Sequence, residues 1–454
     1  MNSDFTFFRA VRLWTRIGLL GFGGPAGQIA LLHREVVQSH RLVDEARFLH
    51  ALNYCVLLPG PEAQQLATYL GWLLHRTWGG LAAGLLFVLP GAAVVGIWSY
   101  LYVEHQGSVP LGAVIFGLKA AVLSLVFDAV RRVSRKALHG RFHVMLAVAA
   151  FASLVFFRAP FPLVVALAAL SGFLHGRGQP ERPPKPAVST PNDESLTVLD
   201  RLERDGLLEH TLPNGRRLIR VLVIGGLLWF LPILALALAF GTDSIFVRLA
   251  TFFSQVAVVT FGGAYAVLTY VAQLAVQTHG WLTPGEMIDG LALAETTPGP
   301  LILVLEFVAY VGAYRDPGVL SPVAAGVLGA GITLWVTFVP CFIWIFAGAP
   351  YVEALRGRRG PSDALSGVTA AVVGVIASLS VFFGLHVLFG RVYAVDLGPL
   401  HVLVPALDSL NPFALCLSGA AVYLTFVRRW EVVKVLVFCT LASLASLGLR
   451  GPWG

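Results

Sequence analysis

The residues of this chain that could do chemistry are polar side chains beside breaks in long apolar stretches. Glycine and proline form these breaks at four places: residues 21–25, 58–61, 260–263 and 297–300. Proline cannot continue an ordinary helix, but it fits the first turn of a new one. Pro61 and Pro300 are therefore predicted to begin half-helices. The unpaired N–H groups and partial positive charge at such a helix start favour an anion.

The breaks and their surroundings occur twice, in the same order. The matching pairs are GFGG (21–24) with TFGG (260–263), LPGP (58–61) with TPGP (297–300), VLP (88–90) with FVP (338–340), and Gly117 with Gly367. The last two pairs are shifted by an insertion in the second copy, placed most simply near residues 315–322. A single break is commonly a packing kink. Duplicated breaks inside apolar segments are instead typical of transporters that bind their substrate between two repeats.

The predicted substrate site consists of residues at the breaks and just beyond them. Lys119 joins this set because it is the one charged residue of the apolar run 114–126. An ionisable group inside a span costs about 2.5–3.5 kcal/mol on insertion scales, which makes it a functional candidate. Two interpretations of Lys119 stay open: a counter-charge for the substrate, or a structural ion pair with Glu62, Glu295 or Glu306. The full set is Gly23, Gly24, Pro25, Gln28, Pro59, Gly60, Pro61, Glu62, Gln64, Gln65, Lys119, Gly262, Gly263, Glu295, Thr296, Thr297, Pro298, Gly299 and Pro300.

The composition indicates a polytopic membrane protein. The chain is 57% hydrophobic and 13% charged, with a mean hydropathy of +0.76, which no soluble core of this size requires. The net charge of +7 comes from arginines that flank apolar runs, which argues against nucleic-acid binding. The four cysteines lack CxxC spacing and are predicted to be buried apolar side chains. Walker A, HExxH and GxSxG motifs are absent, so we predict no enzyme activity, no metal and no cofactor.

We predict an all-α polytopic membrane protein with about thirteen transmembrane helices, at about twenty residues per span. The short spans at 142–157 and 160–175 have an alternative, a single hairpin that dips into the bilayer. A polar linker separates the two copies, and the spacing of Leu196, Leu199 and Leu202 predicts a cytoplasmic spacer helix over 193–208, with a regulatory domain as the alternative. The predicted spans are residues 8–30, 48–73, 78–102, 110–129, 142–157, 160–175, 219–240, 248–277, 286–314, 319–348, 366–389, 399–427 and 431–449.

Charge placement orients the chain with its N-terminus in the cytoplasm. The exception is the predicted external loop after the first span, which holds Arg34, Arg41 and Arg47. The same arrangement puts residues 278–285 in the cytoplasm and Arg315 outside. Because the helix at 219–240 has no counterpart, the second copy enters the membrane from the opposite side. We therefore predict two inverted repeats with broken helices: residues 1–175 form the first repeat, 176–217 the cytoplasmic linker, 218–398 the second repeat, and 399–454 the C-terminal transmembrane helices.

Four motifs resemble the chromate ion transporter family in its two-domain form: GFGGP (21–25), LPGPEA (58–63), FVLPG (87–91) and AETTPGP (294–300). The resemblance covers both halves except the linker and the last two spans. It implies a multi-pass secondary transporter that exports chromate across the bacterial inner membrane and gives chromate resistance, with sulfate as a close analogue of the substrate. The lipid bilayer is the other implied partner, and a homodimer stays open. The chain departs from the repeat at Ala264, which fills the place of Pro25 and predicts a softer second break.

At the predicted site, amides of the half-helices that follow Pro61 and Pro300 hold the oxyanion. Thr296, Thr297 and Gln64 are predicted to donate hydrogen bonds to it, and Lys119 to offset its charge. Three alternatives remain. A sulfate or other oxyanion uptake carrier differs only in the direction of transport, and an anion channel shows neither saturation nor counterflow. A membrane-embedded enzyme or scaffold shows no stabilisation by anions.

Overall fold

The computed structural model describes residues 5–157, 159–177, 197–259, 264–354, 360–398 and 400–447. Helices dominate these residues, joined by two π-helical turns (Arg34–Ser39 and Leu274–Thr278), three 3₁₀ turns (Glu209–Thr211, Leu301–Leu303 and Leu407–Ser409) and one β-hairpin. The helices are α1 Phe7–Leu20, α2 Gly24–His33, α3 Glu45–Leu57, α4 Glu62–Glu104, α5 Val109–Ala137, α6 Arg141–Phe157, α7 Phe161–Arg177, α8 Val198–Arg204, α9 Gly215–Phe240, α10 Ile245–Val259, α11 Ala264–Gln273, α12 Pro284–Glu295, α13 Val304–Arg315, α14 Pro322–Ala354, α15 Gly360–Leu388, α16 Pro412–Phe426 and α17 Val432–Leu447.

Five of the described helices are long and apolar enough to cross a membrane: Glu62–Glu104, Val109–Arg135, Gly215–Phe240, Pro322–Val352 and Ser366–Leu388. Five shorter apolar helices of 10–17 residues accompany them. Large apolar side chains are exposed on α9, where Leu238 is 81% accessible. This pattern is that of a multi-pass membrane protein, which agrees with the sequence prediction.

The three glycine–proline motifs within the described residues break the helices as predicted. Between α1 and α2, Gly23 and Gly24 take positive φ angles of 89° and 67°, which glycine adopts without steric cost. Pro61 is the N-cap of α4, and Pro300 is the N-cap of the 3₁₀ turn that leads into α13. Each copy also has a π-helical turn, which follows α2 in the first copy and α11 in the second.

α4 contains two helical arms, and the reversal between them lies where the sequence predicted the end of segment 48–73 and the start of segment 78–102. His75 and Arg76 leave the helical conformation, and Arg76 has a φ of 53°. The chain reverses there, since a Cβ atom added at Gly71 would lie 2.4 Å from the carbonyl oxygen of Gly79. The arms before and after this reversal therefore pack against each other through glycine.

The predicted span 286–314 is not a crossing of the bundle. Its two ends meet, because Arg315 pairs with Glu286 at 2.5 Å and donates to the carbonyl oxygen of Trp281 at 3.2 Å. α12 and α13 thus form a hairpin that turns at the break and returns to the end where it began. Residues 278–285 and Arg315 consequently lie at one end of the molecule, and the prediction that they face opposite sides is wrong.

The predicted span 248–277 folds back in the same way. Arg248 near the start of α10 pairs with Asp316 at 2.7 Å, and the rings of Phe252 and His279 lie 5.2 Å apart. Both ends of the α10–α11 hairpin therefore lie beside Arg315. Its predicted break at Gly262 and Gly263 lies outside the described residues.

In the first copy, the corresponding hairpins begin and end beside the linker. Phe7 in α1 contacts His75, with ring centroids 5.8 Å apart, and His210 of the linker contacts the carbonyl oxygen of Trp72 at 3.0 Å. The loop before α3 is held at this end too, because Arg41 accepts a backbone hydrogen bond from Val198. The predicted spans 8–30 and 48–73 are therefore hairpins. The described helices form four such hairpins, α1–α2, α3 with the first arm of α4, α10–α11 and α12–α13.

These hairpins correct the predicted number of about thirteen spans. An apolar segment of twenty residues or more satisfies a length rule whether it crosses a membrane or turns midway at a glycine–proline break. Length alone does not distinguish the two cases. The loop that holds Arg34, Arg41 and Arg47, predicted to be external, lies on the linker's side, so the exception to the charge rule disappears.

Residues 400–405, predicted to start the span 399–427, are a strand instead. β1 Val392–Leu397 pairs antiparallel with β2 Leu400–Pro405 through a turn at Gly398, which has a φ of 65°. The alternating Val402 and Val404 favour a strand, and Pro412 begins α16 at its first turn. The prediction of an all-α membrane protein fits the described chain, and this small hairpin is an addition to it.

The linker is packed on the first copy. α8 has a capping box between Thr197 and Asp200, and Leu199 is 1% exposed. The helix ends at Arg204, shorter than predicted, because Gly206 turns the chain with a φ of 68°. The predicted residues 193–196 lie outside the described part of the chain.

The last helices of each half pack on the other half. α6 and α7 contact α15, whereas α16 and α17 contact α5. A Cβ atom at Gly367 would lie 2.2 Å from the carbonyl oxygen of Ala168 in α7, and one at Gly117 would lie 2.6 Å from that of Cys439 in α17. The duplicated glycines thus make equivalent close backbone contacts in the two halves.

Candidate functional site

Two of the predicted breaks meet inside the protein. The backbone N–H of Gly299 donates to the carbonyl oxygen of Gly21 at 3.0 Å. Gln28, which is 1% exposed, donates from its amide to the carbonyl oxygens of Gly21 and Gly299. Gln28 therefore joins the first break of one copy to the second break of the other. The sequence selected Gln28 because it follows a break, and it gave no sign of this bridge between copies.

Each copy covers a break of the other copy with a helix. A Cβ atom at Gly91 of α4 would lie 2.1 Å from the carbonyl oxygen of Pro298. The matching position in the second copy is Cys341 of α14, whose Sγ atom would lie 2.8 Å from a Cβ atom at Gly60. The absence of a side chain at Gly91 and at Gly60 lets the helices approach the broken segments.

The start of α4 carries two buried amides. Gln64 and Gln65 are both 0% exposed. The side-chain amide of Gln65 donates to the carbonyl oxygen of Pro59 at 2.7 Å, and that of Gln64 donates to the Thr68 hydroxyl at 3.1 Å. Glu62 is the first residue of the helix. Its N–H group and the next ones point out of the helix start without intrahelical partners.

The two threonine hydroxyls at the second break donate hydrogen bonds to α12, the helix that precedes them. Thr296 donates to the carbonyl oxygen of Leu293 at 2.7 Å, and Thr297 donates to that of Ala294 at 2.8 Å. A hydroxyl has a single hydrogen to donate. In this conformation the two side chains therefore offer only lone pairs to a ligand. Glu295, the last residue of α12, is 4% exposed.

Lys119 pairs with a residue that the sequence reasoning did not name. Its Nζ atom lies 2.6 Å from Oδ1 of Asp289 in α12, and the Tyr102 hydroxyl donates to Oδ2 of Asp289 at 2.9 Å. The ion-pair interpretation proposed Glu62, Glu295 or Glu306 as the partner, and those partners are wrong. Asp289 was recognisable by the criterion applied to Lys119, as an ionisable residue inside an apolar segment.

The ion pair lies in a cavity of about 520 Å³. The loop at 105–108 and the start of α5 form its mouth, and Glu286 and Ser443 also line it. The side chain of Lys119 is 25% exposed and that of Asp289 is 11% exposed. The ammonium group of Lys119, although paired with the carboxylate of Asp289, is thereby accessible to a small anion.

The described residues contain no cluster of three or more metal-ligating side chains. All four cysteines are free. Cys55, Cys341 and Cys439 are buried as predicted, whereas Cys416 is exposed on α16, so its predicted burial is wrong.

Comparisons with known proteins agree with this architecture. A family model described as "Chromate transporter" matches residues 8–173 and 247–445. A chromate transport protein of Pseudomonas aeruginosa is 30% identical over 370 residues, which cover 81% of this chain and 78% of the relative. A probable chromate transport protein of Synechococcus elongatus is 25% identical over 85% of this chain and 86% of the relative, and a chromate transport protein of Cupriavidus metallidurans is 25% identical over 82% and 81%. No solved structure matches significantly.

Proposed function

This chain belongs to the chromate transporter family, as its motifs predict, and we propose that it carries chromate across the bacterial inner membrane as a secondary transporter. It is a transport protein, not an enzyme. The observation that carries the proposal is the contact between Gly21 and Gly299, bridged by Gln28. Broken helices from two repeats that meet inside a membrane protein are the arrangement in which transporters bind small ions.

Chromate binds, in this proposal, where the breaks meet. The half-helices after Pro61 and Pro300 direct unpaired N–H groups and positive dipole ends toward it. The amide of Gln64 supplies a further donor, since a terminal amide carries two N–H bonds and one of them bonds Thr68. Gln28 uses both of its N–H bonds on Gly21 and Gly299, and Gln65 donates to Pro59, so in this proposal these two side chains hold the breaks in position beside the ion. The break at Gly23, Gly24 and Pro25 gives the backbone its close approach to the ion. Gly262 and Gly263, predicted from the sequence to belong to the same site, lie outside the described residues.

Lys119 guides the oxyanion toward this place from the cavity. An incoming dianion competes with Asp289 for the ammonium group, because both present oxygen atoms to it. Hydrogen bonds between charged partners are about twice as strong as neutral ones, so a dianion can exchange with the carboxylate without leaving Lys119 unpaired. In this proposal Lys119 pairs with Asp289 before the oxyanion arrives, and it pairs with the oxyanion afterwards.

We further propose that the two copies are inverted repeats, with the linker end in the cytoplasm. The hairpins of the first copy start from the linker end, and those of the second copy start from the end that holds Arg315. Arginines are concentrated at the linker end, which the positive-inside rule assigns to the cytoplasm. Single cysteines introduced at 280 and at 106 should label only from outside, and one at 201 only from inside. Labelling of 280 from the cytoplasm would contradict the inverted arrangement.

Export is the direction that the membrane potential favours. Moving one charge through 100 mV is worth about 2.3 kcal/mol, so two negative charges leaving a cell that is negative inside gain about 4.6 kcal/mol. At about 1.36 kcal/mol per decade, this supports roughly a thousandfold outward gradient and hence chromate resistance.

Radiolabelled chromate flux in everted vesicles tests the proposal. Saturable accumulation that responds to a clamped potential and shows counterflow is the expected result. Sulfate transported in the opposite direction would instead identify an oxyanion uptake carrier, and flux without saturation would identify a channel.

A further inference from the structure

A carboxyl group lies buried one helix turn beyond the second break. Glu306 in α13 is 4% exposed. Its Oε2 atom makes no hydrogen bond to any part of the chain that the structure describes. Because a buried carboxylate without a partner is strongly disfavoured, this position favours the protonated form of the group.

The fold makes room for this carboxyl in one copy only. A Cβ atom at Gly96 of α4 would lie 3.1 Å from Oε1 of Glu306. The positions that match Glu306 and Gly96 in the other copy are Ala67 and Phe346, which pack in one apolar cluster. The repeat therefore builds the same place with apolar side chains. Packing does not require an acid there.

Glu306 lies between the meeting breaks and the cavity. Along its length, α4 first passes Pro298 at Gly91, then Glu306 at Gly96, and then Asp289 at Tyr102. The ring of Phe307, the next residue of α13, lies 5.1 Å from that of Tyr102. A proton that reaches Glu306 from the cavity therefore arrives beside the proposed chromate site.

Charged groups on the elements packed against α13 leave Glu306 without a counter-ion. Asp289 and Glu286 are engaged by Lys119 and Arg315, and none of the charged groups on these elements pairs with Glu306 within the described residues. These groups are Glu62, His75, Arg76 and Glu104 on α4, Arg248 on α10, and Glu286, Asp289 and Glu295 on α12, whereas Glu353 on α14 has its side chain outside the described residues.

We propose that Glu306 is the proton-binding group of this transporter, and that its protonation favours oxyanion binding at the breaks. The inference rests on the proposed function. Three residues of 3₁₀ turn and three of α-helix place Glu306 about 10 Å from Pro300, where an ionised carboxylate repels a dianion. Ionisation of Glu306 therefore weakens the binding of the oxyanion by about tenfold or more. Because linkage is reciprocal, oxyanion binding also draws a proton onto Glu306.

The test uses the purified full-length protein and radiolabelled chromate at increasingly alkaline pH, where chromate itself no longer titrates. The wild type should lose affinity as the pH rises and should take up a proton on binding, as read by an indicator dye in weak buffer. Glu306→Gln should bind at alkaline pH about tenfold more tightly than the wild type, without proton uptake. Glu306→Ala, which copies Ala67, should show the same flat profile, and Glu431→Gln at the surface should behave as the wild type.

The outcomes separate the two proposals. If the wild type binds chromate and Glu306→Gln keeps the same pH dependence and proton uptake, Glu306 is not the proton-binding group. Loss of binding in both Glu306 variants, when they elute as folded protein on size exclusion, also overturns this role. A wild type that binds no chromate at any pH overturns the proposed function itself.

Discussion

Replacing Lys119 and Asp289 singly and together separates a substrate ligand from a structural ion pair. Lys119→Met leaves Asp289 uncompensated in a site where its side chain is 11% exposed. Removal of one partner of a buried pair costs about 3–5 kcal/mol, whereas replacement of both by neutral groups is often close to neutral. We therefore expect Lys119→Met to lower the melting temperature markedly and Lys119→Met/Asp289→Asn to restore it. Lys434→Met breaks a surface pair with Glu431 and should cost less than about 1 kcal/mol.

Transport then shows which interpretation holds. If chromate competes with Asp289 for Lys119, Asp289→Asn frees the ammonium group and lowers the KM for chromate. Lys119→Met and the double variant should both raise that KM, although only the double variant is stable. The assays are thermal unfolding followed by size exclusion, and initial chromate flux in everted vesicles at equal protein abundance. Wild-type flux in Lys119→Met/Asp289→Asn would refute a role for Lys119 in binding the oxyanion.

Three further predictions concern the breaks and the linker. Gly91→Ala places a Cβ atom 2.1 Å from the carbonyl oxygen of Pro298 and should lower the free energy of unfolding by about 1–3 kcal/mol. Gly331→Ala places its Cβ atom in open space and should not. Equal melting temperatures for the two variants would contradict the close contact at Gly91. Gln28→Leu leaves the carbonyl oxygen of Gly299 without its amide donor, so we expect a loss of about 1–3 kcal/mol and a fall in chromate flux, and unchanged values would argue against the bridge. Burial, which lowers the pKa of His210 from its usual 6.5, makes docking of the linker fully stable above that pH and weaker as the pH falls below it. Limited proteolysis of the linker should therefore accelerate in acid, and a rate independent of pH would contradict this.

The sequence was sufficient to locate the breaks but not to trace the path of the chain through them. Glycine and proline act locally, so Gly23, Gly24, Pro61 and Pro300 end or begin helices wherever the fold places them. Whether the chain goes on or turns back at a break depends on contacts distant in sequence, such as that of Arg315 with Glu286. Hydropathy contains no information about such pairs.

The partners of the charged residues escaped prediction for the same reason. Lys119 was recognisable as a costly charge, but its choice of Asp289 over Glu295 or Glu306 depends on the crossing of α5 with α12. The repeat itself gave one further clue. The two copies differ at Glu306, which matches Ala67, and at Gly96, which matches Phe346. Such a difference between matching positions indicates a feature that only one copy has, here a buried carboxyl group.

The exchange of helices between the halves explains how the two copies are held together. α5 packs on α15, α16 and α17, and α15 packs on α6 and α7, so each half is bound to the other through long apolar contacts and through the glycines at 117 and 367. The described hydrogen bonds between the tips of the hairpins are few: that of Gly299 with Gly21, and those from Gln28. Each such bond contributes about 1 kcal/mol net. These bonds are therefore a small part of what holds the two copies together, since parting α5 from α15 would expose an apolar core at far greater cost.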